Sequence, residues 1–132
     1  MGDYRKLKVW EKAHQMALNV FKDSAKFPTV ERYGLAAQLR RAAASVGSNI
    51  VEGAGRQGDG DMGRFLQISR GSLFELQYQF LLARDLGYVT AARYDEVHEQ
   101  AEEVGRMIQG LMTHLRRARR ARPDEKAARQ AG

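Results

Sequence analysis

Between Tyr94 and Leu115 the residues Tyr94, Val97, Ala101, Val104, Ile108, Leu111 and Leu115 recur at alternating steps of three and four. An α-helix turns once in about 3.6 residues, so this spacing gathers all seven side chains on one stripe and leaves the polar residues on the other faces. A strand, with its period of two, cannot do this. Three further segments carry the same signature. Val9, Ala13, Met16, Val20 and Phe27, widened by Trp10, Ala17 and Phe21, predict a helix over residues 8–26. Leu35, Leu39, Ala42, Ala43, Val46 and Ile50 predict a second that starts near Thr29, a candidate N-cap, and ends near Gly53. Phe65, Ile68, Ser72, Leu76, Phe80 and Ala83 predict a third, capped by Asp61 and ending near Leu86, with Gly87 as the residue after its C-cap. Thr90 is placed to cap the fourth. Both prolines, Pro28 and Pro123, fall outside these stripes, and the five glycines between Gly53 and Gly63 predict a loop at the middle of the chain.

Four amphipathic helices, each about 30 Å long and joined by short connections, have one economical solution, an all-α antiparallel up-down-up-down four-helix bundle. The segment Ala44 to Val51 cannot be a strand, because no other segment offers it a partner. With 132 residues the chain makes one domain, the bundle over residues 1–115, followed by a basic C-terminal tail over 116–132, a frayed helix end or an unstructured segment. Cysteine is absent, no run is apolar enough for a membrane span, and the charged N-terminal stretch lacks the core of a secretory signal, so a cytoplasmic protein is expected.

The net charge of +6 points to polyanions, and its position matters. The tail holds seven basic residues (Arg116, Arg117, Arg119, Arg120, Arg122, Lys126, Arg129) against Asp124 and Glu125; the body before it holds 15 basic residues against 14 acidic ones. Nucleic-acid contact must therefore fall on the tail or on a local cluster, and Arg40, Arg41, Arg56 and the Arg116, Arg117, Arg119, Arg120 and Arg122 group are the candidates.

The third helix carries a second apolar face, Phe74, Tyr78 and Leu81, opposite its first. A wide core would bury it, and so would a subunit interface; Gly71-Ser72 in mid-helix permits close backbone approach and favours the interface. On the second helix Gln38, Arg41, Ser45, Asn49 and Glu52 form one polar ladder. It fits a hydrogen-bonded seam between helices or subunits, or else a recognition strip.

Motifs that suggest chemistry lack their context. Gly53-Ala-Gly55-Arg-Gln-Gly58 spells G-x-G-x-x-G, but a helix precedes it where a nucleotide-binding turn needs a strand. Asp59 and Asp61 open like a calcium loop, yet Gly63 and Arg70 stand where acidic ligands belong. His98-Glu99 begins a zinc motif that Glu102 fails to complete, and His14, His98 and His114 are dispersed. No nucleophile with a base is discernible, so no catalytic residue, metal or cofactor is assigned.

The string Phe27-Pro-Thr-Val-Glu31-Arg-Tyr33-Gly34-Leu35, followed by Gln38, Arg41-Ala42-Ala43, Ser45, Asn49-Ile50 and Glu52-Gly53, then Phe65-Leu66, Gly71-Ser72-Leu73 and Glu75-Leu76, resembles the four-helix-bundle protein family encoded in 23S rRNA intervening sequences. That family is itself similar to the accessory variability proteins of diversity-generating retroelements. The resemblance covers about Tyr4 to Leu115 and implies a small up-down bundle that assembles as a homopentamer without enzymatic activity. For the retroelement relatives it implies binding of nucleic acid and of a reverse transcriptase through a basic surface. The expected function is thus a non-catalytic, homo-oligomeric scaffold or accessory protein that engages RNA or DNA through basic residues. The alternative is a purely structural protein-protein interaction module with no nucleic-acid role.

Overall fold

A computed structural model of the chain describes residues 3–56 and 58–131, with side chains for 3–56, 58 and 60–121. Four helices account for most of it: α1 Lys8–Ser24, α2 Leu35–Ala54, α3 Asp59–Asp85 and α4 Ala91–Ala131. Short 3₁₀ turns occupy Tyr4–Lys6 and Thr29–Glu31, and the described residues include no strand. Each helix packs on its two neighbours in chain order, and α4 closes onto α1, the arrangement of an up-down-up-down bundle. Val9, Ala13, Met16 and Val20 of α1 meet Leu39, Val46 and Ile50 of α2, and Val97, Val104 and Ile108 of α4 complete the core.

Helix α3 departs from its predicted register. Its first half buries Met62, Leu66, Ser69 and Leu73, whereas Phe65 and Ser72 are half-buried and Ile68 is exposed. Two adjacent stripes in this helix are nearly equally apolar and each carries a serine; the stripe that is buried can hold its serine in the core because Ser69 Oγ donates 2.8 Å to the Val46 carbonyl, while Ser72 meets Ser45 at the half-buried margin. The glycine-rich loop is also shorter than its composition suggests. Helix α3 starts at Asp59, so Gly60 and Gly63 are helical and Asp61 lies inside the first turn, where it does not cap. Burial of Met62 against α2 offsets the poor helix propensity of its neighbours.

The caps are similarly divided. Thr29 does not cap α2: Gly34 occupies that position, and the Glu31 carboxylate reaches forward to accept from the Leu35 amide at 3.4 Å. Thr90 does cap α4, accepting from the Arg93 amide at 3.1 Å. Gly87, with φ of +80°, ends α3 through bonds from Gly87 N to the Arg84 carbonyl and from Tyr88 N to the Ala83 carbonyl, the paired pattern that a left-handed residue permits. Tyr88 then donates to Glu31 at 2.9 Å, tying the α3–α4 turn to the α1–α2 connection. That carboxylate partner raises the phenol above its ordinary pKa.

At the same end Asp23 of α1, buried, accepts from Arg93 Nε at 2.8 and 2.9 Å, and Arg93 also bonds Glu96 at 2.9 Å. The bonds to Asp23 hold the Arg93 pKa above its ordinary value. We expect Asp23→Ala to destabilise the fold by about 2–4 kcal/mol, because a partly buried guanidinium loses its principal partner; urea denaturation followed by circular dichroism measures it.

Candidate nucleic-acid interface

The antiparallel order places the end of α2, the start of α3 and the C-terminal half of α4 at one end of the bundle. Gly53 makes the first junction possible: a Cβ there would lie 2.6 Å from Met62 Sδ and 3.1 Å from Phe65 Cβ. The close approach sets Arg56, just past the end of α2, and Arg64 of α3 over the ring of Phe65, each with its guanidinium carbon 5.2 Å from the centroid. On the α4 side Arg64 lines a polar notch of about 190 Å³ together with Gln67, Arg116 and Arg119. The guanidinium of Arg119 lies over Gly60, 3.4 Å from where a Cβ would stand. The carboxylates nearby engage weakly, Asp61 at 3.9 Å from Arg64 and Glu52 at 3.5 Å from Arg56, both in exposed pairs.

Of the predicted basic residues, Arg116 and Arg119 line the notch, and Arg56 joins the same end of the bundle through the Phe65 ring that it shares with Arg64. Arg117 and Arg120 are exposed on the same stretch of α4 but do not line the notch, and the Arg122 side chain lies outside the described residues. Among the described side chains the last buried one is Leu115, but α4 continues beyond it. Arg40 belongs elsewhere. Its Nε donates 2.8 Å to Ser24 Oγ and its Nη2 3.3 Å to the Phe21 carbonyl, so it closes the C-terminal end of α1. Arg41 stands about four turns along the chain from Arg56. Arg64 and Gln67 escape a reading of the sequence, being isolated polar residues near a glycine-rich segment; the antiparallel order is the one signal that places them beside Arg116.

The polar ladder on α2 is partly absorbed by the fold. Ser45 and Ser72 hydroxyls lie 2.7 Å apart across α2 and α3, and Asn49 Nδ2 donates to the Ser45 carbonyl at 2.8 Å and to Ser45 Oγ at 3.0 Å. Gln38 and Arg41 instead line an open groove of about 450 Å³ with Glu75 and Gln79. Glu52 accepts from Arg56.

Phe74 is 54% and Tyr78 62% exposed, whereas Leu81 is half-buried, so the second face of α3 is surface rather than core for its two aromatic members. Gly71 has open space where a Cβ would be. On another side of the bundle Trp10, Ala17, Leu18 and Phe21 of α1 and Ala44, Gly47 and Val51 of α2 line a mainly apolar groove of about 380 Å³. His14 stacks on Trp10 and His98 on Tyr94, and the described residues hold no cluster of metal-ligating side chains. Nor is any described helix long and apolar enough to cross a membrane.

We expect Gly53→Ala to lower stability by about 1–3 kcal/mol through overpacking at Met62 and Phe65, read as a shift in the urea midpoint.

Comparison with known proteins agrees with the resemblance seen in the residues. A crystal structure of a protein of unknown function from the S23 ribosomal protein family of Bacteroides thetaiotaomicron is similar to the chain at a TM-score of 0.74 and 20% identity, covering 80% of this chain and 95% of that one. At that identity it speaks for the fold. Comparison with curated proteins yields no match. The family model described as 23S rRNA-intervening sequence protein matches residues 5–110, the helical body from the first 3₁₀ turn into α4, and the chain belongs to that family.

Proposed function

We propose that the protein is a non-catalytic, self-associating accessory protein that holds nucleic-acid backbone against its arginine-rich end. The observation that carries this reading is the convergence of Arg56, Arg64, Arg116 and Arg119 from three parts of the chain, beside carboxylates that pair with them only loosely. Guanidinium groups held at a surface displace the counterions condensed on a polyanion, and that release supplies most of the affinity for nucleic acid without regard to sequence. Residues outside the notch, Arg117 and Arg120, extend the same positive stretch. The family's link to 23S rRNA genes is compatible with RNA as the partner.

Self-association rests on a separate feature. Phe74 and Tyr78 expose aromatic surface beside Gly71, whose missing side chain nothing among the described residues requires. A mid-helix glycine costs about 1 kcal/mol relative to alanine, and a second copy packed closely on this face offsets that loss. A homo-oligomer, five copies by the family resemblance, multiplies the arginine ends on one particle and raises avidity with no new contact. The same face favours the second reading, a protein-interaction module in which the arginines only keep the particle soluble. In either case the work is expected to take place in the cytoplasm, and no cofactor is assigned.

For the full chain, the double variant Arg116→Ala/Arg119→Ala is expected to weaken binding of a single-stranded oligonucleotide and to flatten the slope of log K against log salt by about 0.7 for each phosphate no longer neutralised. Arg40→Ala should reduce stability and leave the slope unchanged. An unaltered slope in the double variant returns the function to the interaction module. In light scattering, Phe74→Lys/Tyr78→Lys is expected to reduce the particle to monomer; an oligomer of unchanged mass removes the α3 face from the assembly.

A further inference from the structure

The notch between α3 and α4 is more specific than diffuse binding of a polyanion requires. Arg116 and Arg119 stand one turn apart on α4, and Arg64 and Gln67 one turn apart on α3, so donors from two helices line one space of about 190 Å³. A water occupies about 30 Å³, which leaves room for a tetrahedral anion with a small shell. Its floor is apolar, formed by the buried Met112 and Leu115, and a charge held there is screened less than one on open surface.

Two glycines on the lining have no packing reason to be glycine. Gly63 would meet nothing within 4 Å if it carried a Cβ, and Gly60 would meet only the Arg119 guanidinium. Each weakens the first turns of α3 relative to alanine. What Gly63 provides is access, an open mouth where a side chain would stand, whereas a Cβ at Gly60 would only touch the Arg119 guanidinium in ordinary contact. Planar guanidinium forks match the oxygen spacing of phosphate, donating two parallel bonds where an ammonium gives a single point of charge.

We propose that this notch is a seat for one phosphate group, gripped by Arg64, Arg116 and Arg119 with Gln67 as a neutral donor. The proposal rests on the polyanion reading above and sharpens it: the backbone is anchored at one phosphodiester and the remaining arginines contact it loosely. A phosphate monoester or free phosphate presents the same chemistry.

The test uses the full-length protein and inorganic phosphate, titrated by calorimetry at constant ionic strength against chloride, alongside binding of a short single-stranded oligonucleotide. Saturable uptake of one phosphate per chain is expected, weakened about tenfold or more in Arg116→Gln and Arg119→Gln, as removal of a bidentate charge-assisted donor implies. Arg117→Gln, which lies outside the notch, should take up inorganic phosphate as the parent does. Gly63→Leu, which fills the mouth from a position where a Cβ has open space, should abolish phosphate uptake in a protein of unchanged helicity. Phosphate that behaves as chloride overturns the seat, and so does a loss in Arg117→Gln equal to that in Arg119→Gln. If the oligonucleotide binds while phosphate does not saturate, the seat fails and the nucleic-acid function stands. Saturation by phosphate without oligonucleotide binding supports the seat, assigns it to a free or monoester phosphate, and removes the nucleic-acid function.

Discussion

The contact between α2 and α3 is the constraint on which the other features depend. Small residues line it: Gly53, Ser45, Ser69 and Ser72 allow the two helices to approach closely, and three of them are serines whose hydroxyls find partners across or along the seam. A buried hydroxyl without a partner destabilises by about 1–3 kcal/mol, so these bonds specify one register between the helices as well as holding them together. A rotation of α3 by one residue would break the Ser69 bond to Val46 and draw Leu66 and Leu73 out of the core. The seam also draws Met62 under α2, which is what converts a glycine-rich stretch into the first turn of a helix.

From that junction the chemistry of the two ends follows. One end is closed by specific pairing: Arg93 with Asp23, Arg40 with Ser24 and the Phe21 carbonyl, and Tyr88 with Glu31. Each of these groups is used up in joining helix ends, and Arg40 and Arg93 have acceptors within the chain. The other end is assembled from Arg56, Arg64, Arg116 and Arg119, whose ion pairs are long and exposed or absent among the described residues. Among the described residues, the arginine-rich end is thus the one whose charges are least engaged within the chain. The mid-chain glycines belong to this end, and the open space at Gly63 is a property of the notch rather than of a loop.

Much of the fold is legible in the sequence because helical periodicity is local. The stripes of α1, α2 and α4 match the buried residues closely, since in each a single set of apolar positions dominates: Val9 to Phe27, Leu35 to Ile50, and Val97 to Leu115 run along the core. The first half of α3 defies the same reading because Phe65, Ile68 and Ser72 compete with Met62, Leu66 and Ser69, and no local rule chooses between two adjacent stripes of similar hydrophobicity. Caps divide in the same way. Thr90 bonds within its own turn and is visible from the residues, whereas Glu31 serves as both a cap for Leu35 and a partner for Tyr88, a role that only exists once the far turn is in place.

The basic candidates show the same division. That arginines crowd the C-terminal half of α4 is a matter of composition, and nothing beyond the sequence is needed to see it. That Arg40 is a helix closure, that Arg56 and Arg64 share one aromatic ring, and that Arg64 lines a notch with Arg116 and Arg119 was decided by tertiary structure, because each depends on residues apart in the chain. Sequence alone determined four amphipathic helices and their antiparallel order, since period and connection length are short-range properties. The register of α3, the pairing of charges and the gathering of arginines at one end of the bundle came from packing, where hydrogen-bond satisfaction and steric fit across the seam select among arrangements that are locally equivalent.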